Sequence, residues 1–287
     1  MQIKNNYKIA NYTWFKLGGL VQTFFIPQSI SDIKDFIKKI DSKDKIYVLG
    51  LGSNILIRDG GIDGVLIKLG QGFGYINLTD GILRVGAAAT DRSVSIFAKN
   101  NGIGGFEFLY NIPGSIGGGI KMNCGCYGSE IKDHLKEIKI LDLKTHKIIT
   151  KKKEEIDFKY RETNINDNQL IIEASFYTEK KDKDKIWEKM QANEKMRKQN
   201  QPTSGRMAGS VFKNPNEISA WKVINKIGGD SISNKGAYVS KKHNNFILAK
   251  NDATANDVED LINTIKNQAK EQYNIDMHLE IKIIGAK

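Results

Sequence analysis

The run Ile46-Tyr47-Val48-Leu49-Gly50-Leu51-Gly52-Ser53-Asn54-Ile55-Leu56-Ile57 limits what this 287-residue chain can fold into. Residues 46–49 read as a buried strand that enters a Gly-x-Gly turn. In a dinucleotide-binding Rossmann unit a helix follows that turn, because its N-terminus receives the pyrophosphate. Here Ile55-Leu56-Ile57 follows instead, β-branched and strand-forming, and Arg58-Asp59-Gly60-Gly61 then turns the chain. The Gly-x-Gly lacks its helix, and a nicotinamide-binding Rossmann unit is disfavoured. What remains is a loop of backbone N–H groups between two strands, which is still a good cradle for an anion.

Around that loop the elements alternate. Ile33, Phe36, Ile37 and Ile40 follow i, i+3, i+4, i+7 spacing with Ser29 or Ser31 as cap, which predicts an amphipathic helix. Strands are expected at 65–69 and 82–87, and a helix capped by Thr90-Asp91, with Val94, Phe97 and Ala98 on one face, stops at Gly102. The glycines then crowd together: Gly102, Gly104, Gly105, Gly114, Gly117, Gly118, Gly119, Gly125 and Gly128. Flexible low complexity is the ordinary meaning of such a run. The interleaved Phe106, Phe108, Tyr110, Met122 and Tyr127, with Ile112-Pro113, predict an ordered loop whose bare backbone meets a ligand. It is not a P-loop, since Met122 follows Lys121 where Ser or Thr is needed.

Further on, Ile138, Ile140, Leu143, Ile148 and Ile149 suggest a hairpin around Lys144-Thr145-His146, with Lys151-Lys152-Lys153 as a loop or hairpin run facing water. Arg161, after Phe158-Lys159-Tyr160 and before a strand at 170–176, is placed to be held rigidly; a guanidinium so held binds a carboxylate in bidentate fashion. Residues 179–198 are charged and helix-prone, a crossing between domains. Then comes Gly209-Ser210-Val211-Phe212-Lys213-Asn214-Pro215. Its serine follows a glycine and precedes two strand formers, and Asn214-Pro215 stops the run. Most Gly-Ser pairs are plain turns, so the pair alone says little. A helix over 218–227 ends at Gly228, and short strands at 237–239 and 246–248 flank Lys241-Lys242-His243. A helix from near Thr254 buries Val258, Leu261, Ile262 and Ile265, and a closing strand spans 278–284. Alternation there puts Leu279, Ile281 and Ile283 on one face and Glu280 and Lys282 on the other, so Glu280 faces water on pattern alone.

The net charge of +11 raises the question of nucleic acid, but the lysines are spread along the chain without an Arg/aromatic stripe. A positive field also speeds encounter with a phosphate-bearing small ligand. Cys124 and Cys126 flank one glycine, and His134, His146, His243 and His278 are dispersed, so no metal site is expected and the thiols pack as small residues. No apolar run reaches membrane length and residues 1–6 carry no secretory apolar core, so a cytoplasmic protein without membrane or nucleic-acid partners is expected.

Several of these pieces together resemble one family, the UDP-N-acetylenolpyruvoylglucosamine reductases (UDP-N-acetylmuramate dehydrogenases), flavoenzymes of bacterial cell-wall precursor synthesis. The resemblance runs from about Asn11 to Gly285 through Asn11-Tyr12-Thr13, Phe15-Lys16-Leu17-Gly18-Gly19, residues 49–56, Ile112-Pro113-Gly114-Ser115-Ile116-Gly117-Gly118, Met122-Asn123, Tyr127-Gly128, Tyr160-Arg161, the Ser210 heptad, Ser240, His243, Asn245-Phe246 and residues 280–285. Each motif is weak alone, while their joint order is specific. The resemblance implies an α+β chain. An FAD-binding fold of the vanillyl-alcohol-oxidase type would take residues 1–182, in lobes of about 1–72 and 73–182. A connecting helix would span 183–200, and an α+β substrate-binding domain 201–287. Fewer than fifty residues separate Arg161 from Ser210, as in the shorter type of the family, which lacks a tyrosine-bearing loop. Two departures are Cys124 and Cys126 where alanines are common, and Lys282 where Arg is usual.

By the same resemblance Gly50, Leu51, Gly52, Ser53 and Asn54 would hold the FAD pyrophosphate. Ile112, Pro113, Gly114, Ser115, Gly117, Gly118, Asn123 and Tyr127 would lie along the flavin. Tyr160, Lys198, Lys213, Asn214 and His243 would contact a UDP-sugar enolpyruvate in a chain acting as a monomer. NADPH would reduce FAD, and hydride would pass from flavin N5 to the enolpyruvyl carbon. Arg161 and Glu280 would stabilise the enediolate-like charge, with Glu280 raised in pKa, and Ser210 would supply the proton. The alternatives are another FAD oxidase or dehydrogenase on the same fold, and a non-catalytic nucleotide-sugar or nucleic-acid binder. Neither the Ser210 loop nor Glu280 serves flavin binding, which tells against the first; a yellow protein bleached by NADPH excludes the second.

Overall fold

The structure is a computed structural model that describes residues 1–41, 43–215 and 218–287. It divides into two compact units. The first comprises Met1–Asn5, Thr23–Leu51 and Gly64–Arg197; the second comprises Asn6–Gln22, Gly52–Asp63 and Lys198–Lys287.

The first unit is built on an antiparallel sheet whose strands lie in the order Ile148–Lys152, Leu135–Asp142, Gln169–Tyr177, Ile82–Gly86, Ile76–Thr79. The central strand, Gln169–Tyr177, is buried on both faces, which explains its nearly unbroken apolar run. On one face Ile171, Ala174 and Phe176 pack with Leu83, Val85, Ile138 and Ile140 beneath helices α2 (Asp91–Asn100) and α3 (Ile116–Lys121). On the other, Leu170 and Ile172 pack with Val65, Ile67 and helix α1 (Ile30–Ile37). The expected amphipathic face is present in α1. Ser29 accepts a hydrogen bond from Asp32 N at its start, and Phe36 stacks on Phe25 with ring centroids 4.0 Å apart. Each such buried side chain is worth roughly 1.5–3 kcal/mol. Helix α4 (Lys183–Asn200) begins in this unit, with Ile186 and Met190 packed on Tyr110.

Two local expectations need correction. Val48 belongs to a strand, Ile46–Val48, but is 41% exposed, because that strand lies at the end of its sheet, paired with Ile62–Ile67 on one side. The glycine-rich stretch is ordered but is not one loop: Glu107–Asn111 is a 3-10 turn and Ile116–Lys121 is helical. Lys151 and Lys152 lie in the second strand of the antiparallel hairpin formed with Leu135–Asp142, which is the hairpin alternative of the sequence reading.

The second unit centres on helix α6 (Ala255–Tyr273). Thr254 and Asp257 form a capping box at its start, and Asn274 in the left-handed region ends it. Its stripe of Val258, Leu261, Ile262, Ile265 and Ala269 packs against Val223 and Ile224 of α5 (Ala220–Lys226) and against Val211, Phe212, Ile247 and Ile281. A small antiparallel sheet runs Arg206–Met207, Ile247–Ala249, Ala237–Val239. The closing strand is shorter than the alternation predicts. Only Lys282–Ile284 is a strand, parallel to Ile55–Ile57, while Leu279 makes a separate bridge to Phe212.

Candidate active site

Arg161 occupies a two-residue turn between the short strands Phe158–Lys159 and Glu162–Thr163. Its φ is +56°, a left-handed conformation that costs a non-glycine residue roughly 1–2 kcal/mol. The guanidinium is held in return. Nη1 donates to Asn123 O at 3.3 Å, Nη2 donates to Gly125 O, and Glu130 Oε1 lies 4.0 Å away. The same guanidinium lies 5.2 Å from the Tyr160 ring centroid. Asn123, itself at φ +47°, donates through Nδ2 to Glu130 Oε2 and to Lys159 O, both at 3.1 Å, and so ties the turn to the glycine-rich stretch. Burial pulls the Glu130 carboxyl upward, but hydrogen bonds from Lys132 and Asn123 and the charges of Lys132 and Arg161 leave it below the ordinary range.

The segment 112–118 is stitched to residues 87–91. Thr90 and Ser115 form a bridge, Ile116 N donates to Ala89 O at 3.0 Å, and Gly117 N donates to Ala87 O at 2.9 Å. Gly50 meets this segment: a Cβ there would stand 2.8 Å from Ser115 Oγ and 3.8 Å from Gly118 Cα. Lys68 Nζ donates to Gly50 O at 2.9 Å, and burial lowers its pKa. Tyr127 stands at φ +54°, its phenol pushed up by burial. Gly118 has no positive φ, and an added Cβ would meet only Ser115 Oγ, at 3.5 Å. Neither conformation nor packing demands glycine at 118. A ligand resting on the backbone would, and that fits an FAD lying along 112–118.

Beneath the segment, Asp91 has no exposed surface, and neither carboxyl oxygen has a hydrogen-bond partner. Burial pushes its pKa up to about 8. Its place in the first turn of α2 favours charge by about 1 kcal/mol or less, whereas burying an unpaired carboxylate costs several. Desolvation wins, and the group is neutral at pH 7. The sequence marks Asp91 only as part of a helix cap, and Lys68 not at all. No local pattern separates either from an ordinary surface residue.

In the second unit Ser53 and Asn54 meet the Ser210 loop and the C-terminal segment. Gly209 N donates to Ser53 O at 3.1 Å, Asn54 Nδ2 to Glu280 O at 3.0 Å, and Lys282 N to Asn54 O at 3.0 Å. Ser210 lies between anchored neighbours: Val211 N donates to Asn245 O at 2.9 Å, and Glu280 N donates to Val211 O at 2.8 Å. Buried Asn245 accepts from Phe212 N at 2.9 Å and donates to Phe212 O at 2.8 Å. The segments that carry Ser210 and Glu280, seventy positions apart, are thus hydrogen-bonded through Val211. Lys213 N donates to His278 O at 2.8 Å in the same ladder.

Other expected contacts have structural work of their own. Gly52, at φ +75°, is demanded by packing, since a Cβ would fall 2.0 Å from Tyr12 O. Asn214 Oδ1 accepts from Ala220 N at 2.9 Å and caps α5. His243 Nδ1 accepts from Asn245 N at 3.3 Å, its ring packs edge-on to Phe246, and burial lowers its pKa, so it is neutral at pH 7. Lys198, exposed on α4, accepts a hydrogen bond on its backbone carbonyl from Lys242 Nζ. Among the described residues no group of three His, Cys, Asp or Glu could hold a metal ion, and no helix is long and apolar enough to cross a membrane.

Comparison with known proteins bears on both units. Residues 21–150 match an FAD binding domain family, and residues 201–284 match the C-terminal domain of UDP-N-acetylenolpyruvoylglucosamine reductase. The reductase of Rickettsia massiliae is 41% identical over 284 residues, covering 99% of this chain and 96% of that protein. That of Orientia tsutsugamushi is 40% identical over 290 residues, covering 100% and 95%. The crystal structure of the Thermus caldophilus reductase superposes with a TM-score of 0.87 at 26% identity, covering 99% of this chain and 100% of the other. The fold class is therefore α+β, the cofactor is FAD, and the chain is an oxidoreductase. It belongs to the UDP-N-acetylenolpyruvoylglucosamine reductase family.

Proposed function

We propose that this chain reduces the enolpyruvyl group of UDP-N-acetylglucosamine enolpyruvate to UDP-N-acetylmuramate, with NADPH as electron donor, as a cytoplasmic monomer. Residues 1–182 carry the cofactor, 183–200 connect, and 201–287 bind the sugar nucleotide. FAD, when bound, supplies the hydride. The chain's own residues do the rest. The Arg161 guanidinium receives the substrate carboxylate, where negative charge builds as the double bond is reduced. Glu280 shares a proton with that group rather than opposing it. Ser210 Oγ–H gives its proton to the carbon beside the carboxylate, and Oγ regains one through neighbours. Tyr160, Lys198, Lys213, Asn214 and His243 hold the UDP-sugar.

The observation that most supports this reading is the 2.8 Å hydrogen bond from Glu280 N to Val211 O. It ties the backbone of Glu280 to the residue that follows Ser210, and flavin binding has no use for either side chain. Ser210→Ala tests the assignment. The variant is expected to keep its flavin spectrum and its reduction by NADPH, while reoxidation by the enolpyruvyl substrate, followed by stopped flow, slows by roughly 10²-fold. Reoxidation at the native rate removes Ser210 from the role.

A further inference from the structure

Asp91 is a buried acid that the proposed reaction does not use. It has no exposed surface, and both carboxyl oxygens lack partners. Its position is matched to glycines of the cofactor segment. A Cβ at Gly114 would stand 2.3 Å from Oδ2, and one at Gly119 would stand 3.7 Å from Oδ1. Asp91 N donates to Gly114 O at 3.0 Å, and the Thr90–Ser115 bridge lies next to it. The carboxyl therefore fills the space that a missing side chain leaves at Gly114, while at Gly119 that space is taken by Cys124 Sγ, 2.9 Å from where a Cβ would stand.

Among the described residues no cation is paired with it. The acids nearest on the adjoining elements are the thiols Cys124 and Cys126, both pushed up by burial, Cys126 to about 12, so both stay protonated below pH 8. Lys121 of α3 is directed to Ile165 O and Asp167, and Arg92 of α2 to Tyr110. Glu107, on the 3-10 turn packed against α2, is paired with Lys181 and Lys189. Ionising Asp91 requires water to reach it, and Gly114 of the segment 112–119 lies directly against its carboxyl.

We propose that Asp91 is a positioning residue of the cofactor segment: a neutral carboxyl wedged beneath residues 112–119, whose protonation is coupled to FAD binding. The proposal rests on the reading of 112–118 as the segment that lies along FAD. A ligand held against that segment keeps it down and keeps Asp91 protonated. When the ligand leaves and the segment loosens, the acid regains its ordinary pKa of 3.8. Between that value and about 8, binding FAD then takes up one proton, and affinity falls as pH rises.

The experiment is equilibrium release of FAD from the diluted holoenzyme, read by the fluorescence of free FAD, from pH 6 to pH 8. The native dissociation constant is expected to rise about tenfold from pH 6 to pH 7 and less steeply towards pH 8, and that of Asp91→Asn, neutral in both states, to stay flat and to lie roughly 10²-fold below the native value at pH 6. Equal slopes for the two proteins overturn the proposal. Gly118→Val separates it from the reading beneath. If that variant holds FAD as the native protein does, the segment does not carry the cofactor and both fall. If it loses FAD tenfold or more while the other two slopes coincide, only the Asp91 coupling falls. Should Asp91→Asn not fold, calorimetry of FAD binding by the native protein at pH 6, in two buffers of different ionisation enthalpy, decides. Uptake of about one proton supports the coupling, and none overturns it.

Discussion

The Arg161 turn and the Ser210 loop hold, in opposite ways, the side chains proposed to act. Arg161 is pinned by its own side chain, with guanidinium donors on Asn123 O and Gly125 O, and with its backbone in a left-handed conformation. Ser210 is pinned only through its neighbours. Gly209 N, Val211 N and Val211 O are all hydrogen-bonded, while among the described residues nothing bonds the Ser210 hydroxyl. The difference follows the chemistry proposed for each. A cation that must receive a carboxylate gains from losing its rotamer freedom in advance, because ordering then costs nothing at the moment of reaction. A hydroxyl that passes a proton must turn between a donor and an acceptor, so only its Cα needs fixing.

Arg161→Lys would break this comparison with the largest effect. Lysine keeps the charge, but its single ammonium cannot span two carbonyls and a bidentate carboxylate. Turnover is expected to fall by roughly 10²- to 10³-fold, the scale of one lost preorganised donor, with FAD content unchanged. If lysine serves as well as arginine in steady-state assays, pinning is irrelevant and only charge matters. Asn245→Ala acts on the other side. It removes both bonds to the Phe212 backbone in a buried place, and each group left without a partner costs about 1–3 kcal/mol. Urea unfolding should show a loss of that order. The surviving folded protein should turn over more slowly, because the Ser210 Cα is no longer fixed. A variant that loses stability but keeps its native kcat would show that the Ser210 position does not depend on this frame.

Much of the fold was legible because periodicity and caps are local. The faces of α1 and α6, with Ser29 and Thr254 at their starts, stand where the spacing puts them. The strand after Gly-x-Gly also forms, which is what removes the Rossmann alternative. Residues 278–284 failed for a tertiary reason. Alternation is right for the side chains, since Ile281 is buried and Lys282 exposed, but Leu279 pairs with Phe212 and Lys282–Ile284 pairs with Ile55–Ile57. One apolar pattern is thus divided between two partners. The candidate site was legible only as separate motifs. That Asn245 frames Phe212, or that Asp91 lies under Gly114, depends on contacts between distant segments that no spacing encodes.

The smallest expected effect sharpens the comparison most. Gly52 and Gly209 are the glycines on either side of the Ser53 O hydrogen bond, and only one is explained by the protein. Gly52→Ala would place a Cβ 2.0 Å from Tyr12 O in a left-handed backbone, so it must destabilise. Gly209 has no positive φ, and a Cβ there meets nothing within 4 Å. Gly209→Ala should therefore shift stability by no more than about 0.5 kcal/mol, the range of a harmless surface change. If a ligand passes over residue 209 to reach the Ser210 hydroxyl, the added methyl obstructs it. KM for the enolpyruvyl substrate should then rise while the melting temperature stays still. An unchanged KM would mean that the glycine before Ser210 is only a turn residue, and that substrate approaches the hydroxyl from another side.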